Sequence, residues 1–483
     1  MENIIQTVNG WVWSPALVIL CLAAGLYFSF GTRFVQVRRF GEMARLLFST
    51  DKAQKTGITS FQAFAMALSG RVGTGNIVGV ATAIGYGGPG AIVWMWIIAF
   101  LGAGSAFAEA TLAQIFKENH KGEYRGGPAY YIEKGLRAKW LGVIFAVCAV
   151  VACGLFLPPV QSNGIAISFA NTFNINPAWI GMGVALLIGI VIIGGVKRIA
   201  NVAQIVAPFM AIIYILLSLV ILIIHASDVP MVFGDMIRSA FGVHEVFGGI
   251  LGSTIAWGVK RGIYSNEAGQ GTAPIVAAAA KVSHPVKQGM VQAFSVYVDT
   301  LLVCTATAVM ILACQTYNVY AADGSLLMTS AVAELGEPDV SYTTTAISTL
   351  IGPNLGGLVV SIALFFFAFT TIMAYYYYAE TNLVYLFGKG RKEHLCIWVL
   401  RICLIAAVFY GSLNKASMMW TLGDIGVGTM AWINIVAILL LSRIAFRSLR
   451  SYEKQKKEGK EPIFDPNELK IKNADFWEVK GEN

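Results

Sequence analysis

The chain has 483 residues, of which 56% are hydrophobic and 13% charged, with a net charge of +8. A soluble domain carries roughly 25% charged residues, so water cannot solvate most of this surface, whereas a bilayer can. No basic face interleaved with aromatic residues accompanies the positive charge, so nucleic acid is excluded as a partner and the bases are read as determinants of topology.

Apolar runs of about 20 residues, enough to cross a hydrocarbon core of roughly 30 Å as helix, recur from Trp11 to Ser442. In chain order they predict an all-α polytopic membrane protein of about 11 spans: 11–30, 60–84, 89–116, 140–169, 178–196, 203–225, 240–264, 287–314, 342–386, 396–412 and 421–442. The first run follows Met-Glu-Asn and has its bases behind it, the reverse of a secretory signal, so a retained accessory helix is expected. The seventh is irregular. The ninth is too long for one straight span, and its first third, 341–356, is expected to be a re-entrant or surface piece. With the N-terminus outside and the C-terminus in the cytoplasm, the outward segments hold only Arg238 and Lys415 of the 35 Lys and Arg, and Arg71 and Arg401 sit within spans. That asymmetry obeys the positive-inside rule and implies the cell inner (plasma) membrane. The loop 315–340, acidic and without a base, then lies outside. The tail 443–483, rich in Lys and Glu and interrupted by Pro462 and Pro466, is expected to be solvated and partly disordered, with its bases against anionic lipid. The expected organisation is an N-terminal unit over 1–56, a first repeat over 57–226, a second over 227–442, and the tail. The seven cysteines lie in or beside apolar runs without a CxxC or Cys/His pattern, and His225, His244 and His284 show no metal-ligand spacing.

Two spans do not read as continuous helices. The second contains Ser69-Gly70-Arg71-Val72-Gly73-Thr74-Gly75-Asn76, and the seventh contains Phe247-Gly248-Gly249-Ile250-Leu251-Gly252-Ser253-Thr254. Glycine costs about 1 kcal/mol relative to alanine in a helix interior, so several together favour unwinding, which membrane depth tolerates only in a protein-buried or cavity-lining place. Close helix packing explains Gly79, Gly85 and Gly195 but gives no reason for Thr74 and Asn76. With the accessory helix set aside, the glycine-rich segments lead two halves of five helices each. Five is odd, so the halves are inverted, and an inverted repeat with two broken helices marks an alternating-access transporter. At a break, free N–H groups attract a carboxylate and free carbonyls accept from a cation or ammonium. Gly73, Thr74, Gly75 and Asn76 are thus the candidate carboxylate cradle, and carbonyls around Gly248, Gly249, Gly252 and Ser253 the candidate ammonium acceptors. No obvious buried clamp for a charged side chain accompanies them, so a small neutral amino acid is the expected substrate.

Three segments in order resemble the alanine or glycine:cation symporter family over nearly the whole chain. Residues 87–102, Gly-Gly-Pro-Gly-Ala-Ile-Val-Trp-Met-Trp-Ile-Ile-Ala-Phe-Leu-Gly, are similar to its signature apart from Val93, where phenylalanine is usual. Residues 260–269, Lys-Arg-Gly-Ile-Tyr-Ser-Asn-Glu-Ala-Gly, and 69–83 resemble two further hallmarks. The resemblance implies a LeuT-like fold and sodium-coupled symport of alanine or glycine into the cell. It also implies a sodium site between backbone at residues 67–70, with Ala67 and Gly70 as ligands, and the hydroxyls of Thr370 and Thr371. It places Gln161 near the substrate. Read alone, Thr370 and Thr371 would bond their own helix, and Gln161 and Asn163 would tie helices together. No cofactor beyond the coupling ion is expected.

Asp299 and Arg71 remain. Asp299 is a cation-pathway group or a paired one, since a membrane carboxylate costs roughly 2.5–3.5 kcal/mol on insertion scales. Arg71 snorkels, pairs with Glu109, Asp299 or Glu267, or stands in for sodium. Lys260, Arg261 and Glu267 fit a charged inner gate or end cap, or serve topology alone. A channel would need a continuous polar ring, and an enzyme would need a catalytic set that is not found. The alternative reading is a proton-coupled amino-acid transporter of the same fold, or glutamine or serine as substrate.

Overall fold

The computed structural model describes residues 2–48, 57–243, 247–321, 323–332, 334–388 and 392–478; His244 and the expected unit boundary at 56 lie outside them. Among the described residues eight helices are long and apolar enough to cross a membrane, and Pro177–Ile192 is a shorter apolar one. Two further spans are interrupted. The first runs as Ser60–Arg71, a π-helical turn Gly75–Gly79 and Val80–Gly87, and the second as Leu251–Asn266 and Ala273–Ala279. Helices Gly90–Ile115, Pro285–Ala313 and Pro353–Phe387 have 72%, 78% and 72% of their apolar windows buried, against 33% for Gly195–Ile224 and 28% for Glu393–Leu413. The first three therefore form the interior against which the interrupted helices pack. The last two turn isoleucine and leucine outward, as a lipid-facing helix does.

The ninth run divides at Gly352, whose φ of +84° ends the helix Val340–Ile351 before Pro353–Phe387 begins. A side chain would be strained there, and Pro353 suits the first turn of the next helix. The short helix follows a two-stranded hairpin, Val319–Tyr320 with Leu326–Met328, which marks one face of the protein, here the hairpin face. The opposite face carries the tail.

Two expectations are corrected. The second interruption falls at 267–272, not within 247–254. Gly248 and Gly249 lie in a single 3-10 turn at the start of the helix, and Gly252 in its first turn. Glycine there disrupts no helix interior. The real break has Glu267, Gly269 and Gly271 at φ of +55°, +80° and +91°, left-handed conformations that glycine adopts without steric cost.

The described part of the tail, to Glu478, is also ordered. The last long helix continues to Lys457, and the chain beyond it lies on the protein. Pro462, Phe464 and Pro466 are buried at alternate positions, and Ile471, Ala474 and Trp477 at every third. Phe464 rests on the His284 ring with centroids 5.3 Å apart, while His284 Nδ1 accepts the Val286 N–H at 3.2 Å. Burial, and then the charge of Lys287, push the His284 pKa down to about 3. An ordinary histidine protonates near 6.5, so the docked state takes up fewer protons than the undocked one between those values. Docking is therefore most stable above about pH 6.5 and weakens as the pH falls below it, in proportion to how far undocking re-exposes the ring. Hydrogen-exchange protection of residues 461–477 should therefore fall between pH 7 and pH 5, after correction for intrinsic exchange; equal protection would mean that His284 is not held neutral by the tail.

Candidate functional site

The first interruption leaves backbone groups without helical partners, and side chains from other elements take them up. The Gly73 N–H donates to Asn76 Oδ1 at 2.9 Å and the Thr74 N–H to Gln161 Oε1 at 2.9 Å. Thr307 Oγ1 donates to the Asn76 carbonyl at 2.6 Å. A Cβ on Gly73 would lie 2.6 Å from both Gln161 Oε1 and Thr371 Oγ1, so this glycine permits the helices to converge. Three of the four cradle residues thus touch groups that converge on the turn. Gly75 faces the Tyr264 ring, 3.2 Å from where its Cβ would be. The Thr74 hydroxyl is buried without a partner, free for a ligand. Asn163 serves the bland role, donating to the Gly411 and Asn414 carbonyls at 2.8 and 2.7 Å.

The second interruption is stitched in the same way. Arg71 Nε donates at 2.6 Å to the carbonyl of Asn266, the last residue of the half-helix before the break. The same guanidinium reaches the Gln292 carbonyl at 3.4 Å and the Ser295 hydroxyl. Arg71 is a cap on a helix end, which a cation suits. The Gly269 N–H donates to Glu109 Oε1 at 3.2 Å, and Asn434 Nδ2 donates to the Gly269 carbonyl at 2.9 Å and to Glu109 Oε2 at 2.8 Å. Asp299, on a π-helical turn, accepts from Asn76 Nδ2 at 2.7 Å and Ser265 Oγ at 2.8 Å. It joins the two interruptions directly.

Between the first interruption and the helix Pro353–Phe387, oxygens crowd together. Thr371 Oγ1 lies 2.8 Å from the Ser69 carbonyl, 3.2 Å from that of Val72 and 2.9 Å from that of Phe367. Thr370 Oγ1 instead donates within its own helix, 3.0 Å from the Phe366 and Phe367 carbonyls, the structural alternative for this residue. The Phe367 carbonyl already accepts within its own helix, so the acceptors in excess are the Ser69 and Val72 carbonyls, which one hydroxyl proton cannot both satisfy. The surplus of acceptors suits a hard cation, which takes oxygen ligands. The carbonyls here are those of Ser69 and Val72 rather than Ala67 and Gly70, because those two point toward the hydroxyl helix just where the first helix unwinds. Gly70 instead packs under the Tyr378 hydroxyl.

Gly248, Gly249, Gly252 and Ser253 do not join the cradle. Gly249 and Gly252 are exposed, and a Cβ on either would meet nothing within 4 Å. Ser253 Oγ donates to the Tyr86 carbonyl at 2.7 Å, near the far end of the first interrupted helix. From the hairpin face a vestibule of about 480 Å³ descends past Glu337 and Trp257 to Lys260, Arg261, Trp420 and Asp424. Arg261 grips Asp424 with two bonds of 2.9 and 3.0 Å, and Lys260 Nζ is 2.7 Å from the same carboxylate. Lys260 and Arg261 thus floor the vestibule and do not close the tail face, as their place in the sequence suggests. Tyr264 lies beneath, its ring 4.9 Å from that of Trp420. The Arg261–Asp424 pair escapes a reading of the sequence because Asp424 sits in a run whose glycines and hydrophobics look like plain span; its one signal is a lone carboxylate in that run.

The model of the sodium:alanine symporter family matches residues 1–466. YrbD of Bacillus subtilis (strain 168), a proposed sodium/proton-dependent alanine carrier, is 55% identical over 99% of this chain and 98% of its own. The sodium/proton-dependent alanine carrier of Bacillus sp. (strain PS3) is 47% identical over 90% of this chain and 97% of its own. GlnT of Bacillus subtilis, a proposed sodium/glutamine symporter, is 40% identical over 99% and 96%. Among solved structures, a Na+-coupled sialic acid symporter superposes with a TM-score of 0.50 at 14% identity, covering 89% of this chain and 86% of that one. The manganese transporter of Eremococcus coleocola gives 0.52 at 13% identity, covering 86% and 90%. At that identity the likeness carries the fold, a LeuT-like bundle.

Proposed function

The chain belongs to the sodium:alanine symporter family, and on that basis we propose that it couples sodium entry to uptake of a small neutral amino acid, alanine first, by alternating access. The observation that carries this reading is the cage of Ser69, Val72 and Phe367 carbonyls around Thr371 Oγ1, built on the same turn whose amides face Gln161. Sodium binding there would draw Ser69 and Val72 toward Thr371 and so set the position of Gly73 and Thr74, two residues on. The substrate carboxylate would compete with Gln161 Oε1 for the Thr74 N–H and take up the free Thr74 hydroxyl. Its ammonium would meet oxygens of the second interruption near Ser265 and Asn266, in place of the Gly248–Ser253 carbonyls. Tyr264, Trp420 and Gln161 crowd this space, which favours a methyl side chain over a larger one. Oppositely directed five-helix halves, over 57–226 and 227–442, would exchange access around it.

We place the hairpin face outside and the tail face in the cytoplasm, in the inner (plasma) membrane. Moving Lys260 and Arg261 to the vestibule still leaves the bases concentrated on the tail face, as the positive-inside rule requires. The vestibule then opens outward.

A second reading, in which a proton accompanies or replaces sodium, rests on Asp299, Glu109 and Glu267, all fully buried beside the interruptions. Both alanine-carrier relatives have names that mention the proton. Arg71 does not favour it, because its Nε and Nη1 donate to Asn266, Gln292 and Ser295 and not to the Thr371 cage.

Thr371→Val removes the oxygen at the centre of the cage and keeps the side-chain shape. In detergent, the sodium concentration that half-saturates alanine binding should rise at least tenfold, with a smaller rise for Thr370→Val, while thermal stability changes little. An unchanged midpoint for Thr371→Val would make the threonine structural. For topology, a cysteine at Asp323 should label with an impermeant thiol reagent in intact cells and one at Lys456 should not; the reverse pattern would invert the assignment.

A further inference from the structure

The tail beyond Lys457 crosses the end of the protein where the two interrupted helices meet. There the chain entering the first pairs with the chain leaving the second: the Ile58 N–H donates to the Ala279 carbonyl at 3.1 Å and the Lys281 N–H to the Ile58 carbonyl at 3.0 Å. The bridge ties the two half-helices that flank the proposed path, so an opening that separates them toward this face has to part it. Gln114 reinforces the same place. Its Nε2 donates to the Ala277 and Ala280 carbonyls, and Lys117 Nζ donates to the Ala280 carbonyl at 2.9 Å and to Gln114 Oε1 at 2.8 Å.

The tail holds both of these residues. Trp477 Nε1 donates to the Gln114 carbonyl at 3.0 Å. The Lys117 amine sits 4.6, 4.5 and 5.3 Å from the ring centroids of Tyr124, Phe476 and Trp477, a cage that suits an ammonium. Burial and the nearby Lys281 pull the Lys117 pKa well below that of an ordinary lysine, and the rings and acceptors hold the amine in place. The tail is anchored on either side. Ser283 Oγ donates to the Pro462 carbonyl at 2.8 Å and the Phe464 N–H to the Ser283 carbonyl at 3.1 Å. Lys287 pairs with Glu461 at 2.5 Å, and Lys134 with Asp475 at 2.9 Å. Phe464 and Trp477 close the loop by packing on each other, centroids 5.1 Å apart. The tail therefore clamps the ends of three elements, Gly90–Ile115, Pro128–Leu136 and Pro285–Ala313, around the Ile58–Ala280 bridge.

We propose that residues 458–478 form a strap that locks the tail-face end of the transport path shut, through Trp477 on Gln114 and the aromatic cage on Lys117, and that the strap lifts when the path opens to this face. The inference rests on the alternating-access reading above. In the locked state the strap adds to the free energy of parting the Ile58–Ala280 bridge, so it biases the protein toward the state open at the hairpin face.

The test compares the full chain with Phe464→Ala/Trp477→Ala, which keeps the chain length and removes both ring anchors. Hydrogen exchange is followed at pH 7 over residues 57–59 and 277–281, with Pro353–Phe387 as the folding control. The strap predicts that exchange at the bridge rises at least tenfold in the variant while the control stays protected. Bridge protection equal to that of the full chain, in a variant whose residues 461–477 have become freely exchanging, overturns the proposal. If the double variant leaves 461–477 protected, the chain ending at Lys457 takes its place and the same comparison decides. Alanine uptake is measured in parallel. A looser bridge in a protein that transports no alanine retains the lock and sinks the substrate reading, whereas an unchanged bridge with normal sodium-coupled uptake sinks the lock alone.

Discussion

An α-helix can stop and restart inside a membrane only where every N–H and C=O it gives up finds another partner, because lipid offers none. The described residues make two such interruptions, and many of the buried polar side chains are explained by them. Asn76, Gln161, Thr307 and Thr371 serve the first; Arg71, Glu109 and Asn434 serve the second. An unpartnered buried polar group costs about 1–3 kcal/mol, so these contacts are conditions of the fold before they are features of a site. The same contacts leave the Thr74 hydroxyl and Asn266 Nδ2 without partners. What is left over at the two breaks is what a ligand can use.

In the proposed function, coupling follows from sharing. The Ser69 and Val72 carbonyls that face Thr371 and the Gly73 and Thr74 amides that face Asn76 and Gln161 belong to one short unwound turn. A cation that fixes the carbonyls also fixes the amides, and a carboxylate that replaces Gln161 on Thr74 pulls on the same backbone. Asp299 extends the connection, since it holds Asn76 of the first break and Ser265 of the second. Above them the Arg261–Asp424 pair and Trp420 separate the vestibule from Tyr264; below them the Ile58–Ala280 bridge lies at the opposite end.

Much of this is legible in the amino acids. The first interruption can be read because polar Thr74 and Asn76 stand between glycines, a pattern that packing alone does not require. The second is misplaced by the same reasoning because glycine density is a poor guide. At 248–252 glycines begin a helix, where they disturb no interior, whereas the two that matter, Gly269 and Gly271, are called for by positive φ. Arg71 is expected to snorkel, to pair with a carboxylate or to stand in for sodium, yet it caps the Asn266 carbonyl, an acceptor that exists only because a helix 195 residues away is broken. Which carbonyls face Thr371 depends on how the first helix is rotated about its axis, and an apolar helix that is buried all round carries no such signal. The tail looks disordered by composition, but the alternate placing of Pro462, Phe464 and Pro466 is the signature of an extended segment lying on a surface.

The central claim is that one unwound turn binds both the ion and the amino acid, so their affinities must be linked and the linkage must be equal in both directions. Calorimetry on the purified full chain measures it: alanine affinity at low and at saturating sodium, and sodium affinity without and with alanine. The account predicts that each ligand tightens the other by the same factor, within the range of about 5- to 150-fold typical of such coupling. Alanine affinity that does not change with sodium would contradict it.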